Sequence, residues 1–228
     1  MLIRSLPTKV ALDALAETPG LLTLGLGGDA AEPIRIDLFA GTGRLLVAGP
    51  PRSGRSNALR VLLVQLLGQS VRVLVAAPRR SPLTGIARER GCRILTPEDA
   101  VWPADVLCDD LGATARTAVL VDDSEAFLDT AVGDALASYA RAAPPLLAVV
   151  AAGRSEEIAV IYRGIAAEVR RARCGLLLQP GPIDGELVGL RLPRRRHPGP
   201  AGRGFLVGDG CWSLPEASEP TPIQVAVP

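Results

Sequence analysis

Residues 45–56 combine residue types and spacing that suit phosphate chemistry. The segment reads LLVAGPPRSGRS, an apolar run followed by Gly49 and then by Gly54, Arg55 and Ser56. Glycines at this spacing let the backbone turn so that successive N–H groups point into one concavity, which can hold an anion. The segment matches the P-loop pattern G-x-x-x-x-G-K-[ST], except that Arg55 stands where lysine is usual. It therefore predicts a phosphate-binding loop between a strand and a helix.

The P-loop interpretation gives each residue of this segment a contact. The loop backbone would surround the phosphates, Arg55 would reach the β- and γ-phosphates, and the Ser56 hydroxyl would ligate Mg²⁺. The helix that starts near Ser56 would add the positive end of its dipole. The alternative is an ordinary strand–turn–helix unit without a ligand. The predicted nucleotide-binding residues are consecutive: Gly49, Pro50, Pro51, Arg52, Ser53, Gly54, Arg55, Ser56 and Asn57.

A second apolar run, residues 119–121, ends in the carboxylates of Asp122 and Asp123. This is the Walker B pattern, in which Asp122 would hold the Mg²⁺ ion directly or through water. Asp123 would orient or deprotonate the attacking water, although it is one methylene shorter than the more usual glutamate. The alternative is a pair of solvated acids at a strand end. A P-loop upstream favours the metal site, with Ser56 and Asp122 as the metal-binding residues.

Arg154 follows a third apolar run, residues 146–152, and Gly153. In many P-loop ATPases a polar residue at this strand end senses the γ-phosphate. We therefore expect Arg154, together with Asp123, to serve in catalysis, either on its own nucleotide or on that of a neighbouring subunit. The alternative is a solvated arginine at the start of a helix.

The elements that must position these residues alternate along the chain. Apolar runs and turn residues predict strands at 33–38, 45–48, 71–77, 92–95, 118–121, 146–152, 175–178, 204–207 and 222–227, and helices at 57–67, 83–90, 105–111, 128–143 and 156–173. A hairpin-like turn is predicted at 41–43. This alternation predicts an α/β, RecA-like P-loop fold with a mostly parallel sheet and helices on both faces. We expect a single domain, 1–228, with a lead-in segment (1–40), a nucleotide-binding core (41–180) and C-terminal loop and strands (181–228).

The amino-acid composition argues against several classes of protein and several kinds of site. The 228 residues are 48% hydrophobic and 21% charged, which suits one globular domain with a core, and the net charge of +1 gives no overall attraction to nucleic acid. The single histidine, His197, argues against a histidine metal cluster or a Ser-His-Asp triad. Four widely spaced cysteines favour buried reduced thiols over disulfides or a zinc site. Without a long apolar run or a signal peptide, we expect an intracellular protein.

Beyond these motifs, longer stretches resemble a known family. LLVAGPPRSGRSNALR, AVLVDDSEAFLD, GLLLQPGPIDGELVGL, PAGRGFLVGDG and the closing PIQVAVP resemble an FtsK/SpoIIIE-type ATPase domain. LPTKVALDAL and LGLGGDAAEPIRIDL resemble its usual lead-in, so that the resemblance extends from residue 6 to residue 227. The chain looks most similar to the later, degenerate ATPase domains of type VII secretion EccC proteins, with actinobacterial FHA–FtsK proteins second.

The resemblance implies a RecA-like motor domain that uses ATP and Mg²⁺, assembles into hexamers and acts in the cytoplasm beside the membrane. FtsK and SpoIIIE move double-stranded DNA, whereas EccC proteins recruit and export small helical proteins. The implied partners are therefore neighbouring ATPase domains or subunits and a protein substrate, with double-stranded DNA second. The chain departs from the active pattern at Arg55. Losing one charge-assisted phosphate contact costs about 1.5–3 kcal/mol, so we expect weak or partner-dependent ATP hydrolysis.

Two alternatives stay open. The first is a nucleotide-free regulatory or substrate-recognition domain, which Arg55 and the loss of the usual long segment before the Walker B strand support. The second is a double-stranded DNA translocase module, which a basic stretch supports. Aromatic residues are too few, with three Phe, two Tyr and two Trp, to form a stacking platform for single strands. The basic stretch consists of Arg191, Arg194, Arg195, Arg196 and Arg203.

Overall fold

The computed structural model describes residues 5–99, 115–142, 146–192, 199–208 and 220–228. The strands are β1 (Leu22–Gly27), β2 (Glu32–Ile36), β3 (Arg44–Ala48), β4 (Arg72–Ala76), β5 (Arg93–Leu95), β6 (Thr117–Val121), β7 (Leu147–Gly153), β8 (Gly175–Leu178), β9 (Arg203–Val207) and β10 (Thr221–Val225). The α-helices are α1 (Arg55–Gly68), α2 (Pro82–Glu89), α3 (Ala131–Ala142), α4 (Ser155–Val160) and α5 (Gly164–Arg170). Three 3₁₀ turns lie at Leu12–Ala14, Ser124–Phe127 and Asp184–Val188.

The ten strands form one sheet in the order β2-β1-β10-β9-β8-β3-β7-β6-β4-β5. From β8 to β5 all neighbouring strands run parallel. These strands are short and apolar, and every residue of β6 and β7 is buried, as expected for strands that are covered on both faces. The predicted α/β fold with a mostly parallel sheet is therefore confirmed.

Hydrophobic cores lie on both faces of the parallel part of the sheet. Side chains of a strand alternate between faces, and in β3 the residues Leu45 and Val47 join one core while Leu46 and Ala48 join the other. The first core includes buried residues of α1 and α2, and the second includes buried residues of α3, α4 and α5. The helices thus cover both faces, and the site residues at the strand ends rest on a rigid base.

The remaining strands form an antiparallel flank. β9 pairs with β8, and β10, β1 and β2 follow in antiparallel order. The predicted lead-in and C-terminal segments therefore contribute strands to the same sheet as the core. A parallel bridge between Ala11 and Val227 extends this flank, supported by the hydrogen bond that the Val227 N–H donates to Val10 O at 2.8 Å.

The turn at residues 41–43 is present, but the prediction of a hairpin there is wrong. β1, β10, β9 and β8 lie between β2 and β3, the strands on either side of the turn. β2 already pairs with β1, and β3 is placed between β7 and β8 in the parallel core. A glycine-rich turn fixes a local reversal of the backbone and does not by itself determine which strands pair.

The single helix predicted over 156–173 is also wrong, because the structure has α4 and α5 with a break between them. The backbone is extended at Arg163, with φ −138° and ψ 172°, and Gly164 has φ +79°. The Arg170 guanidinium donates hydrogen bonds to Ile158 O at 2.8 Å and Ala159 O at 3.4 Å. These bonds satisfy carbonyl groups that the end of α4 leaves without helical partners, so the break costs little.

The expectation of reduced cysteines is wrong at one position. Cys174 is disulfide-bonded, whereas Cys92 is free. Burial raises the pKa of the Cys92 thiol, and the nearby Arg90 opposes this rise. Wide spacing along the sequence, on which the expectation depended, does not determine distances between cysteines in the folded chain.

Two predicted segments, the helix at 105–111 and the arginines at 194–196, lie outside the described residues. Within the ranges that the structure describes, no helix has the length and the apolar character to cross a bilayer.

We expect Gly204→Ala to destabilise the chain, because Gly204 lies in β9 where the parallel core meets the antiparallel flank. An added Cβ would clash with Leu177 O and lie 2.9 Å from the Leu177 carbonyl carbon, so β8 and β9 would have to separate. Overpacking of this kind costs about 1–3 kcal/mol, which urea unfolding would show as a lower midpoint.

The matched control is Gly68→Ala in α1. Nothing lies within 4 Å of the Cβ that this change adds, and alanine favours helix, so stability should stay the same or rise by up to about 1 kcal/mol. Equal urea midpoints for the unaltered chain and Gly204→Ala would contradict the described β8–β9 pairing.

Candidate nucleotide-binding site

Residues 49–54 form the loop that joins β3 to α1. A Cβ on Gly49 would lie 2.6 Å from both Leu178 O and Ser53 Oγ, so no other residue fits at this point. Gly54 has φ +104°, and a Cβ there would lie 2.8 Å from the Gly202 nitrogen. Both glycines of the predicted P-loop are therefore required by close approaches, and Gly54 also by its positive φ.

The predicted loop residues between the glycines differ in exposure. Pro51 and Arg52 are exposed, and Arg52 has a positive φ of 64°. Pro50 is half-buried, and its carbonyl accepts a hydrogen bond from the Ser53 N–H at 3.3 Å. Ser53 is buried, and its Oγ has no hydrogen-bond partner within the described part of the chain. A buried hydroxyl without a partner inside the predicted P-loop is available to a ligand.

The C-terminal segment braces the outer side of the loop. The Gly202 N–H donates to Ser53 O at 2.7 Å, and Gln224 Nε2 donates to Ala201 O at 2.9 Å. Asn57, which we predicted to bind nucleotide, donates its side-chain amide to Ala226 O at 2.7 Å. The Asn57 side chain thus links α1 to the residue that follows β10. This hydrogen bond is a contact within the chain, and nucleotide binding by Asn57 stays a prediction.

Asp122 lies at the end of β6 and is completely buried. Its Oδ2 accepts hydrogen bonds from Ser56 Oγ at 2.9 Å and from Ser81 Oγ at 2.5 Å. Its Oδ1 accepts the Asp123 N–H at 3.2 Å. The two residues that the sequence predicts as metal ligands, Ser56 and Asp122, are therefore in direct contact. Ser81, at the start of α2, was not predicted from the sequence.

Arg55 turns back into the loop instead of extending from it. Nη1 donates to Gly49 O at 2.8 Å and Nη2 to Asp123 Oδ1 at 3.1 Å, and only 11% of the side chain is exposed. The planar guanidinium fork can serve two acceptors in fixed directions, whereas a lysine ammonium is a single point charge. The side chain that was predicted to reach phosphate is therefore engaged by the chain itself.

Asp123 adopts a left-handed conformation, with φ 45° and ψ 58°, and its side chain is 39% exposed. Burial raises the pKa of Asp123, and the neighbouring Asp122 raises it further, while Arg55 and Arg154 act in the opposite direction. A carboxylate with a raised pKa beside the predicted P-loop has a property that suits proton transfer. Its ion pair with Arg55 opposes this use, because the guanidinium stabilises the charged form.

Arg154 lies just beyond β7, as predicted, and 48% of its side chain is exposed. Its guanidinium pairs with Glu157 at 2.5 Å and lies 3.9 Å from Glu125 Oε1. The structure thus places Arg154 close enough to Asp123 to act on its pKa, but with acidic partners of its own. Its role in sensing phosphate stays a prediction.

Glu125 is a site residue that the sequence reasoning missed. Its Oε1 accepts the Arg154 N–H at 3.3 Å, and its buried Oε2 has no hydrogen-bond partner among the described residues. Burial raises the pKa of Glu125, and the charge of Asp123 contributes to this rise. The available signal was an acid two residues after the Walker B pair, within the 3₁₀ turn Ser124–Phe127, and its side chain lies against Gly153 at the end of β7.

The site fits a phosphate–magnesium ligand in part. Among the described residues no group of three or more His, Cys, Asp or Glu side chains could hold a metal by itself, so Mg²⁺ here would depend on phosphate oxygens and water. The glycine loop, the Ser53 hydroxyl and the Ser56–Asp122 pair suit such a ligand. The Arg55 side chain does not, because its contacts lie within the chain.

No protein-family model and no curated protein matches this sequence. Solved structures do resemble it. The cytoplasmic domain of the Thermomonospora curvata type VII secretion ATPase EccC is 20% identical over 99% of the chain, with a TM-score of 0.71. ATPases 2 and 3 of T. curvata EccC, in complex with a signal sequence peptide, are 19% identical over 99% of the chain, with a TM-score of 0.73. ATPases 2 and 3 of EssC from Geobacillus thermodenitrificans are 17% identical over 97%, with a TM-score of 0.71.

These likenesses confirm the predicted resemblance to EccC and establish the fold, which is that of the ATPase domains in these proteins. The chain spans 28%, 44% and 45% of the lengths of the three solved chains. It therefore corresponds to a part of each of them.

We expect Glu125→Gln to raise the stability of the chain at neutral pH. Because burial raises the pKa of Glu125, the folded chain binds this proton more tightly than the unfolded chain does. The resulting stability is complete below the ordinary glutamate pKa and is lost as pH rises through the raised folded-state pKa. Glutamine is neutral throughout, so the variant should keep that stability.

The measurement is the melting temperature between pH 4 and pH 8, where each 1 kcal/mol recovered should raise Tm by about 2–4 °C. The difference between variant and unaltered chain should be largest at pH 8 and disappear toward pH 4. The control, Glu157→Gln, removes a more exposed acid beside the same arginine and should not show this gain at pH 8. A Glu125→Gln difference that does not change with pH would contradict the assignment.

Proposed function

We propose that this chain is an ATP-binding, FtsK/SpoIIIE-like motor domain with weak or partner-dependent ATP hydrolysis. The observation that carries the proposal is the 2.9 Å contact between Ser56 and the buried Asp122, which joins the P-loop helix to the Walker B strand. These two groups would hold Mg²⁺ on the phosphates of ATP. Bound Mg²⁺ would neutralise part of the negative charge on the phosphates.

Different groups of the site would then contact the phosphates and the attacking water. Backbone N–H groups of residues 49–54 and the start of α1 would surround the phosphates, since anions bind well at such helix starts. The Ser53 hydroxyl would gain the partner that it lacks within the described chain. Asp123 would accept a proton from the attacking water once it is free of Arg55.

Arg55 supports the proposal of weak hydrolysis. Its guanidinium would have to give up Gly49 O and Asp123 to reach a γ-phosphate, exchanging two existing contacts for new ones. While the ion pair persists, Asp123 is neutralised as a base. A contact from a neighbouring domain that draws Asp123 or Arg55 away would release both groups, which is how hydrolysis would depend on a partner.

The proposed setting is a larger ATPase of the type VII secretion kind. EccC and EssC, which share this fold, are proteins with several ATPase domains, and one EccC structure holds a signal sequence peptide. By likeness to them, we propose neighbouring ATPase domains and a protein substrate as partners, and a position at the cytoplasmic face of a membrane through the rest of a parent chain.

The strongest alternative is a regulatory or substrate-recognition domain that binds no nucleotide. The Arg55–Asp123 ion pair favours it, because it neutralises the two groups that hydrolysis would need. A DNA translocase module has less support. Arg203, one of the basic residues that suggested it, bonds to Gln224 Oε1 and to the carbonyls of Leu6 and Pro7.

We expect Arg55→Lys to tighten the binding of ATP with Mg²⁺, measured by titration calorimetry. Lysine cannot bridge Gly49 O and Asp123 as the guanidinium does, so its charge is free to turn to phosphate. The gain should be at most the value of one charge-assisted contact, about 1.5–3 kcal/mol, or about tenfold to a hundredfold in Kd. Turnover should stay close to zero, because Asp123 is short and no neighbouring domain contributes an arginine.

The matched control is Arg72→Lys, the same replacement at the exposed first residue of β4, which should leave the Kd unchanged. Brisk hydrolysis by the unaltered chain that Asp122→Ala abolishes would show that the proposed weak activity is wrong. No ATP binding by either the unaltered chain or Arg55→Lys would instead establish the recognition domain.

A further inference from the structure

We infer that Ser81 is a positioning residue for the magnesium site. It holds the Asp122 carboxylate in the orientation that serves Ser56 and the metal, and it links that orientation to helix α2. The inference rests on the proposed nucleotide binding, and it adds a residue from outside both the P-loop and the Walker B strand.

The hydroxyl of Ser81 is both a hydrogen-bond acceptor and a hydrogen-bond donor. Its Oγ accepts the Leu83 N–H at 3.0 Å, as the N-cap of α2. It also lies 2.5 Å from Asp122 Oδ2. A hydroxyl has one proton and two lone pairs, so a lone pair serves Leu83 and the proton is donated to Asp122. The donor is therefore committed to the carboxylate.

Asp122 needs such a donor because its carboxylate is completely buried. A buried charge is stable only when it is paired or hydrogen-bonded. Ser56 and Ser81 both bond to Oδ2, while Oδ1 accepts the Asp123 N–H. The Ser56 oxygen has two lone pairs, so it can face a cation while its proton stays on Oδ2. Ser81 supplies a second donor to the same Oδ2, and this donor holds the carboxylate in the direction that the Ser56 contact needs.

The position of Ser81 itself is set by packing. Ser81 is 6% exposed, and Leu83 and Ala87 of α2 are fully buried in the same hydrophobic core as α1. Thr84 Oγ1 donates to the Ser81 carbonyl at 2.7 Å and fixes the first turn of the helix. A donor held by a packed helix restrains its acceptor more tightly than a donor on a loop would. Outer residues of this kind typically affect metal affinity by about 10–100-fold when they are removed.

The test compares ATP binding with Mg²⁺ and with EDTA by titration calorimetry. The main variant is Ser81→Gly, because glycine removes the hydroxyl but is itself an acceptable N-cap, so α2 should stay formed. We expect Ser81→Gly to weaken binding in Mg²⁺ by about tenfold or more while the Kd in EDTA changes less than about twofold. Ser81→Thr keeps a hydroxyl and should restore most of the Mg²⁺-dependent gain.

The control for a purely structural effect is Thr130→Gly, which removes a hydroxyl that accepts the Gly133 N–H at 3.0 Å at the start of α3. It should leave both Kd values unchanged. A second measurement needs no nucleotide: urea unfolding of Ser81→Ala, Asp122→Asn and the double variant should give non-additive shifts in the midpoint, as contacting groups do.

The outcomes separate this inference from the proposed function. If the unaltered chain shows the Mg²⁺-dependent gain and Ser81→Gly keeps it, the inference is wrong and the proposed function stands. Additive unfolding shifts would also overturn it. If the unaltered chain binds no ATP under either condition, the proposed function fails and the positioning role fails with it.

Discussion

The buried charge of Asp122 places a demand on the rest of the site. An ionised carboxylate without partners would cost several kcal/mol at this position, so the fold must bring donors to it. The structure does so from three elements: Ser56 from α1, Ser81 from α2 and the Asp123 N–H that follows β6. The packing of α1 and α2 on one face of the sheet is therefore coupled to the electrostatics of one side chain.

The parallel part of the sheet makes this convergence possible. The carboxyl ends of β3, β4, β6 and β7 lie along one edge, because neighbouring strands in this region run in the same direction. The loop after β3 supplies the glycines, the segment after β4 supplies Ser81, and Arg154 follows β7. The antiparallel flank contacts the P-loop from the side. The Gly202 N–H donates to the Ser53 carbonyl of the loop, and the Gln224 side chain donates to the neighbouring Ala201 carbonyl. Ligand sites in open α/β sheets lie at such carboxyl ends.

Local patterns in the sequence were sufficient for the fold and for the pair of candidate metal ligands. Glycine spacing, apolar strands and terminal carboxylates each depend on a few neighbouring residues, and the structure brings Ser56 and Asp122 together as they predict. The Ser81 contact and the inward turn of Arg55 depend on groups distant in sequence, so no local pattern indicates them. The break between α4 and α5 was missed for a related reason: the Arg170 side chain that caps α4 acts across the break.

The bridge between Ala11 and Val227 has a consequence for how such a unit is joined to others. The segment that precedes the first strand and the segment that follows the last strand are hydrogen-bonded to each other at residues 10–12 and 227. A neighbouring unit attached on either side would therefore start from the same edge of the sheet. The same geometry makes the fold a good host for circular permutation, with new ends opened at a surface turn such as residues 28–31 while the old ones are fused.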